Sequence, residues 1–319
     1  MKTISQISVE LLKYKSVLIF CHTKPDGDTL GSAVGLKYGL QQKKIYCDIV
    51  CDGIIPAKYG VIINTKEIIK PEQVAKKYDA HVAVDIAAEH LFGNAWGIYE
   101  SCNNRYSIDH HSSNSRYTSD LYLDKAPAAT VLVYRLLKEM NVEFDKNIAE
   151  PLLLGIVTDT ANFMHESTNS ECLAIASELM DYGVDLSKIS SEVLKNQTKE
   201  RAMLYAQVMS KMRFYLDNKL AIITIRKSDL HNYSLSEDST EGFVDFPLTI
   251  SNVEVAVSLL QSKDELFRVS IRTKGKVNAN EVASEFGGGG HFFASGCVIS
   301  GLYEEVIEKI VRVVDINLY

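Results

Sequence analysis

Residues 107–114 read SIDHHSSN and place an acidic side chain and two consecutive histidines after a short strand-like run, NRYSI. Asp109, His110 and His111 can each bind a metal ion or take part in proton transfer. A surface turn that contains a chance pair of histidines would explain the octapeptide equally well. The acidic side chains elsewhere in the chain decide between these two interpretations.

Other acidic side chains and one histidine also follow apolar runs. After SVLIF, the segment CHTKPDGD supplies His22, Asp26 and Asp28. Asp85 follows HVAV, and Asp159 follows the apolar segment LLLGIVT. A single Asp after a strand is usually a turn residue or a helix cap, and Asp28 suits the second role. Because parallel strands end at one edge of a sheet, the segments together predict one shared site.

A shared site of this kind needs positive charge. Carboxylates gathered away from water without partners are very unfavourable, and divalent cations relieve that cost. The number of acidic groups predicts two ions rather than one. Since the donors are carboxylates and imidazoles without any cysteine, the set favours Mn²⁺ over Mg²⁺, Co²⁺ and Zn²⁺.

The elements that must hold these side chains alternate between strand and helix in the first half of the chain. The strand-like runs are SVLIFCH, IYCDIV, HVAVDI and NRYSI, and residues 127–140 and 146–158 have the periodicity of helices. This alternation predicts βαβ units and a parallel sheet that is covered on both faces. We therefore expect an α/β fold with a Rossmann-like first domain over residues 1–183.

The second half of the chain has a different character. Residues 184–210 are polar and mostly helical, which predicts a helical linker between two domains. The runs RFYLD, KLAIITI, VEVAVSLLQ and ELFRVSIRT follow, and we expect them to pair as antiparallel strands. A helix, the stretch GGGGHFFASG, a strand and a final helix complete the chain. Residues 211–319 thus predict a smaller C-terminal α/β domain with a mixed sheet.

Composition limits the partners and the compartment. The chain of 319 residues has a formal net charge of −7, which argues against a long non-specific nucleic-acid footprint. No apolar run reaches transmembrane length, so we expect no membrane contact, and residues 1–16 predict an amphipathic helix rather than a signal peptide. The six cysteines are scattered, as is typical of reduced cysteines in a cytoplasmic protein. Homodimer formation stays open.

The acidic and histidine segments resemble, in order and approximate spacing, the four motifs of the DHH phosphoesterase superfamily. The match runs from the CHTKPDGD segment through VAVDI and IDHH to GIVTDT, and thus spans the first domain. The stretches RVSIRTKG and GGGGHFFASG resemble the DHH-associated C-terminal domain. A two-domain chain of this size is most similar to the NrnA-type oligoribonucleases (nanoRNases) and pAp phosphatases of that superfamily.

The resemblance implies a role for each motif residue. The implied metal ligands are His22, Asp26, Asp28, Asp85, His110 and Asp159. Asp85 would bridge two ions, with the first two ligands on one ion and the other three on the second. Asp109 would orient the His110 ring by a hydrogen bond, as a neighbouring carboxylate often does for a histidine that binds a metal. His111 would face the substrate phosphate as a hydrogen-bond donor or general acid.

The C-terminal stretches carry groups that suit a phosphate. Glycines let a backbone approach an anion closely, and an arginine can bind a phosphate with two parallel hydrogen bonds. In the family that the chain resembles, this region binds the nucleotide, which implies substrate binding by Ser270, Arg272, Gly288, Gly289, Gly290 and His291. Phe292 and Phe293 follow, and we expect at least one of them to pack in the core.

Two positions of the fourth motif depart from the family pattern. Ala161 and Asn162 stand where many relatives have Gly and a larger or basic residue. This departure bears on the preferred length of the substrate.

The resemblance implies a phosphoesterase with two Mn²⁺ ions that acts on short RNA, linear dinucleotides or 3′-phosphoadenosine 5′-phosphate (pAp), with the second domain closing over the site. Long nucleic acid is not expected as a partner. A RecJ-like exonuclease and a pyrophosphatase or polyphosphatase of the same superfamily are the alternative enzymes. A nucleotide-binding module without catalysis is a third alternative, and the complete set of implied ligands argues against it.

Overall fold

A computed structural model describes residues 1–318, and the chain forms two compact units. The first is Met1–Asn196 and the second begins at Gln197, so the division falls inside the predicted linker of residues 184–210. The last residue of the predicted second domain, 319, lies outside the described residues. Among the helices of residues 1–318, none is long and apolar enough to cross a membrane.

The first unit alternates strands and helices. Its strands are β1 (Ser16–Cys21), β2 (Tyr46–Cys51), β3 (Ile68–Ile69), β4 (Ala80–Val84), β5 (Arg105–Asp109) and β6 (Asp120–Leu123). Its α-helices are α1 (Ile4–Leu11), α2 (Gly27–Gln42), α3 (Trp96–Glu100), α4 (Ala129–Glu139), α5 (Lys146–Asp159), α6 (Ser170–Asp181) and α7 (Leu186–Ile189). A π-helical turn, Ser190–Lys195, follows α7, and 3-10 turns occupy Ala57–Val61, Thr65–Glu67, Pro71–Gln73 and Glu89–Ala95.

The six strands of the first unit form one parallel sheet in the order β3-β2-β1-β4-β5-β6. This is the doubly wound arrangement, in which the strand order reverses between β1 and β4 and leaves a crevice at their carboxyl ends. Both central strands are buried nearly throughout, as expected for strands covered on both faces. The predicted Rossmann-like α/β fold is confirmed. The short edge strands β3 and β6 were not among the strands predicted from the sequence.

A stripe of glycines brings α2 close to its neighbours. Gly27, Gly31, Gly35 and Gly39 recur at every fourth position and therefore lie along one face of α2. A Cβ atom at Gly31 would lie 2.2 Å from the carbonyl oxygen of Pro151 in α5. One at Gly27 would lie 2.4 Å from the hydroxyl oxygen of Thr158, also in α5. The contact thus requires glycine, and it sets the start of α2 beside the end of α5.

The second unit consists of a mixed sheet with helices. Its strands are β7 (Arg213–Tyr215), β8 (Leu220–Ile225), β9 (Val255–Lys263), β10 (Leu266–Thr273), β11 (Gly289–Gly290) and β12 (Ala294–Ser300). Its α-helices are α8 (Lys199–Ser210), α9 (Lys227–Asn232), α10 (Ala279–Ser284) and α11 (Tyr303–Leu318). Two 3-10 turns, Glu237–Thr240 and Phe243–Thr249, precede β9.

The sheet order in the second unit is β11-β12-β10-β9-β8-β7, and one pairing differs from the prediction. The sheet is mixed, as predicted, but the parallel pair is β8 with β9, two of the runs that we expected to pair as antiparallel strands. The reason is the long connection between them, which contains α9 and the two 3-10 turns. A connection of that length carries the chain back to the same end of the sheet, and a short hairpin cannot.

The glycine contact generates a stability prediction. Gly31→Ala should lower the free energy of unfolding by about 1–3 kcal/mol, because the new methyl group meets backbone that cannot rotate away. The control is Gly97→Ala in α3, where no heavy atom described in the structure lies within 4 Å of the added Cβ. That variant should be neutral or slightly more stable. Denaturant unfolding measures both, and equal effects would contradict the close-contact explanation.

Candidate metal centre

The predicted ligands lie at the carboxyl ends of the central strands of the first unit. His22 follows β1, Asp85 follows β4, and His110 follows β5. Asp26 and Asp28 lie at the start of α2, and Asp159 is the last residue of α5. The crevice at the reversal of strand order therefore collects all six side chains.

Their donor atoms form three overlapping groups. His22, Asp26 and Asp85 form one group, and Asp28, His110 and Asp159 form another. Asp85 also belongs to a third group, with His110 and His111. Within each group all donor atoms lie within 4.8 Å of one another. Asp85 thus belongs to two of the three groups, and His110 links it to the third.

The two oxygens of Asp85 point to different histidines. Oδ2 lies 3.7 Å from His22 Nε2, and Oδ1 lies 3.5 Å from His110 Nε2. His110 Nε2 also lies 3.8 Å from Asp28 Oδ2 and 3.7 Å from Asp159 Oδ2. Donor atoms that share an ion with bonds of about 2.1 Å lie about 3–4 Å apart. The separations therefore suit donors arranged around a cation.

The carboxylate of Asp28 caps a helix other than its own. Its Oδ2 accepts a hydrogen bond from Ala129 N at 2.6 Å, and its Oδ1 accepts one from Thr130 N at 2.9 Å. These are the first N–H groups of α4, whose own N-cap residue, Ala128, has no side chain that can accept. The positive end of α4 thus stabilises a carboxylate that is only 1% exposed. Asp28 is a helix cap and a candidate ligand together.

Asp26 has a similar double position at the start of α2. Its Oδ1 accepts hydrogen bonds from Asp28 N and Thr29 N, both at 3.0 Å, as an N-cap residue does. The same oxygen lies 3.7 Å from His22 Nε2. The beginning of α2 therefore fixes the position of two carboxylates.

The DHH triplet differs from the prediction in one respect. The imidazole of His110 is oriented by the carbonyl of Ala126, to which Nδ1 donates at 3.0 Å, which leaves Nε2 free to bind a metal. Asp109 Oδ1 instead accepts from the imidazole Nδ1 of His111 at 2.7 Å, and it contacts His110 only through the backbone N–H. The prediction that Asp109 orients the His110 ring is wrong, because the strand end points the carboxylate toward His111.

Asp85 has an unusual backbone conformation. Its φ angle is +58°, in the left-handed region that non-glycine residues rarely adopt. The following carbonyl, that of Ile86, accepts hydrogen bonds from the side chains of Asn114 and Tyr117 at 3.2 and 2.9 Å. Strain of this kind persists where surrounding contacts hold it and is common at functional sites.

The electrostatics of the site reflect crowded negative charge. Burial raises the pKa of Asp28 well above its ordinary value, and the carboxylates of Asp85 and Asp159 raise it further. Partial burial raises the pKa of Asp159 to about 6, although His110 opposes the shift. Burial lowers the pKa values of His22 and His110, but the surrounding carboxylates outweigh it and raise both to about 10. The pocket therefore attracts cations.

The donor set fits a divalent metal ion. Asp85 Oδ1 is buried, and it takes part in no hydrogen bond with residues 1–318. A buried carboxylate oxygen without a partner is unfavourable, and a cation would satisfy it. Carboxylates and imidazoles without thiolates suit borderline ions. These residues can therefore hold metal.

The predicted substrate-binding residues all belong to the second unit, whereas the predicted metal ligands belong to the first. Ser270 and Arg272 are two positions apart in β10 and therefore lie on the same face of the strand. The guanidinium of Arg272 lies 3.3 Å from Asp245 Oδ1. Gly288 precedes β11, and a Cβ there would lie 2.3 Å from the backbone oxygen of Gly296. Only a glycine fits so near the neighbouring strand β12.

The other members of that predicted set lie at the end of β11. Gly289 and Gly290 form the strand, the φ angle of Gly290 is +150°, and His291 is exposed. Phe292 and Phe293 are 46% and 47% exposed and contact each other edge to face, so the prediction that one packs in the core is wrong.

The departures in the fourth motif have a structural consequence. Ala161, Asn162 and Phe163 all have φ angles between +46° and +66°, directly after α5. Asn162 Oδ1 accepts a hydrogen bond from the Ser190 hydroxyl at 2.8 Å, which helps to hold this left-handed turn. The chain therefore keeps a turn that suits glycine without having one there.

Sequence reasoning missed Asn114 and the glycine stripe. Asn114 is 8% exposed and donates from Nδ2 to Asp109 Oδ2 at 2.6 Å. No pattern in the sequence marks this residue, since an asparagine in a polar loop is ordinary. The glycines had a visible signal, because their spacing of four residues matches one face of a helix.

Comparisons with known proteins agree with the geometry. The sequence signature of the DHH family, N-terminal domain, matches residues 16–156, and that of the DHHA1 domain matches residues 217–318. The bifunctional oligoribonuclease and PAP phosphatase NrnA of Thermus thermophilus is 31% identical over 300 residues, which is 92% of this chain and 89% of the relative.

Two further relatives are similar over most of the chain. A probable manganese-dependent inorganic pyrophosphatase of Streptococcus thermophilus is 23% identical over 275 residues, which is 81% of this chain and 87% of the relative. The crystal structure of an exopolyphosphatase-related protein from Bacteroides fragilis has a TM-score of 0.90 at 26% identity and covers 98% of this chain and 95% of that chain.

The shared position of Asp85 predicts its effect on metal binding. At a free Mn²⁺ concentration about 100 times Kd, bound metal should stabilise the wild-type protein by about 2.7 kcal/mol. Asp85→Asn should lose most of that gain, because both neighbouring groups lose the same carboxylate. Asp264→Asn, which changes an exposed carboxylate of the second unit, is the control. Thermal unfolding with and without Mn²⁺ measures the gain, and an unchanged gain in Asp85→Asn would refute the shared role.

Proposed function

The chain belongs to the NrnA family of DHH proteins, and we propose that it hydrolyses short oligoribonucleotides and pAp with the help of bound divalent metal ions. The observation that carries this proposal is the pair of donor groups that share Asp85 at the crevice of the sheet. A relative named for both activities, 31% identical over most of its length, supplies the substrate class.

Two ions, most simply Mn²⁺, would occupy the site. His22, Asp26 and Asp85 would hold one ion. Asp28, His110 and Asp159 would hold the other, together with Asp85, whose Oδ1 lies 3.5 Å from His110 Nε2. Manganese is supported by the donor chemistry and by the name of the pyrophosphatase relative. Metal ions at such sites polarise phosphoryl oxygens and lower the pKa of water.

The protein's own groups would position the phosphate and manage the proton. His111 is the candidate residue to face the substrate phosphate. Its Nδ1 is hydrogen-bonded to Asp109, and its side chain is 38% exposed. Its Nε2 can donate a proton or hydrogen bond to the leaving oxygen. Asp109 would fix the tautomer and orientation of that ring.

The second unit would supply nucleotide affinity. Arg272 and Ser270 provide a guanidinium and a hydroxyl on the same face of one strand, and both side chains are accessible. The backbone N–H groups of Gly288, Gly289 and Gly290, with exposed His291, would add donors for an anion. The exposed ring of Phe292 or Phe293 offers a surface on which a base can stack.

A substrate panel tests the function directly. Metal-loaded protein is assayed on pAp, a linear dinucleotide, 5′-phosphorylated RNAs of two to five nucleotides, long single-stranded RNA and inorganic pyrophosphate, with Asp85→Asn as the inactive reference. We expect turnover of the short nucleotides and pAp. Turnover confined to pyrophosphate, or equal on long RNA and dinucleotide, would assign the chain to another branch of the superfamily.

Arg272 gives a prediction about affinity. Arg272→Ala should raise KM for short RNA and pAp about 10- to 150-fold, because a charge-assisted phosphate contact contributes about 1.5–3 kcal/mol. Bound metal should not change, since no predicted ligand lies on β10. The control is Arg268→Ala, which removes an arginine from the same face of the same strand, where it pairs with Glu237. An unchanged KM, or lost metal, would show that Arg272 has a different role.

Charge gives a prediction about substrate length. A net charge of −7 disfavours the binding of a long polyanion, so we expect few phosphates to be bound. We expect kcat/KM to fall steeply beyond about five nucleotides and to depend only weakly on salt for dinucleotides. Steady-state kinetics on an RNA length series at two ionic strengths measure both trends. A steep salt dependence on the shortest substrates would contradict the small binding footprint.

A further inference from the structure

The loop after the DHH triplet buries one amide side chain against the site. Asn114 is 8% exposed, and its Nδ2 donates to Asp109 Oδ2 at 2.6 Å and to the carbonyl of Ile86 at 3.2 Å. Its Oδ1 accepts from the backbone N–H of Arg116 at 2.7 Å. Both amide protons and one oxygen lone pair are therefore used, which fixes the orientation of the group.

The amide continues into a chain of hydrogen bonds that ends on a candidate catalytic ring. Asp109 is fully buried, and its second oxygen, Oδ1, accepts from His111 Nδ1 at 2.7 Å and from the His111 backbone N–H at 3.3 Å. Asn114 thus binds one oxygen of the carboxylate while His111 binds the other. A carboxylate that is held at both oxygens cannot rotate without breaking a buried hydrogen bond.

We propose that Asn114 is a positioning residue that acts through Asp109 on His111 and thereby aims His111 Nε2 at the leaving oxygen of the substrate. This inference rests on the proposed function, in which His111 faces the scissile phosphate. The bond to Ile86 supports the same task, because Ile86 follows Asp85 directly. Asn114 thus connects the loop that carries Asp85 to the loop that carries His111.

A positioning role for Asn114 requires a hydrogen-bond donor at this position, whereas a packing role requires only the right size and shape. Asn114 must donate to a carboxylate, so an isosteric side chain that only accepts cannot replace it. Asn114→Asp keeps the size and the oxygen that accepts from Arg116 N, but it removes the protons that face Asp109. It also places a second carboxylate against a buried one. If packing were the only function of Asn114, the aspartate would be the mildest substitution.

The experiment compares two substrates that differ in their need for a proton. A ribodinucleotide has a poor leaving oxygen that benefits from general acid catalysis, whereas bis(p-nitrophenyl) phosphate releases a stable phenolate. For Asn114→Ala and Asn114→Asp we expect kcat on the dinucleotide to fall about 10- to 100-fold. This is the usual effect of removing a residue that orients a functional side chain by a hydrogen bond. KM should change little, and kcat on the activated diester should fall less than threefold.

Tyr117→Phe is the matched control. The Tyr117 hydroxyl donates to the same Ile86 carbonyl at 2.9 Å but does not contact Asp109. Its removal should change both substrates by the same factor. Mn²⁺ binding by calorimetry and thermal unfolding of every variant show whether the metal site and the fold persist, and Asn114→Ser serves if the aspartate variant does not fold.

Three outcomes would overturn the inference. They are an Asn114→Asp variant with wild-type kcat on the dinucleotide, an equal loss on both substrates, and a loss explained by weaker Mn²⁺ binding alone. A wild-type protein that hydrolyses no dinucleotide with metal present would overturn the proposed function instead, so the two failures are distinguishable.

Discussion

The first unit is organised by the repulsion between carboxylates that the fold holds close together. Asp28 and Asp85 are 1% and 3% exposed, and Asp159 approaches the same nitrogen of His110, Nε2, as both of them. Like charges held this close repel one another and oppose folding unless something compensates them. Two kinds of contact can compensate this cost. The start of α4 donates two N–H groups to Asp28, and protonated imidazoles or cations can satisfy the rest.

The close contact of α2 and α5 decides where those charges lie. The N-terminus of α2 carries Asp26 and Asp28, and the C-terminus of α5 carries Asp159. Because Gly31 has no side chain, the backbone of α2 packs directly against the Pro151 carbonyl of α5, with no room for a Cβ atom between them. A wider separation would move Asp159 away from the donors of Asp28 and His110. Packing at the middle of the helices thus sets the geometry of the site at their ends.

The sequence predicted which side chains lie together at the edge of the first sheet, because their positions follow from simple rules. Strand-like runs end at known residues, parallel strands end at one edge, and the DHH motifs fix the order. The role of Asp109 was not accessible in the same way. Whether the carboxylate of Asp109 meets His110 or His111 depends on side-chain directions at a strand end, which residue types do not encode. The parallel pairing of β8 and β9 was missed because it depends on the path of a long connection.

The two units divide the electrostatic work between them. The first unit holds a cluster of carboxylates that suits a metal ion. A phosphate is bound instead by cationic side chains or N–H groups, and β10 and β11 of the second unit carry such groups. Arg272 faces Asp245, but the carboxylate side is 60% exposed, so the pair contributes only about 0–1 kcal/mol. A phosphate offers the guanidinium a stronger, bidentate partner. The weakness of this ion pair therefore leaves the guanidinium of Arg272 available to a phosphate.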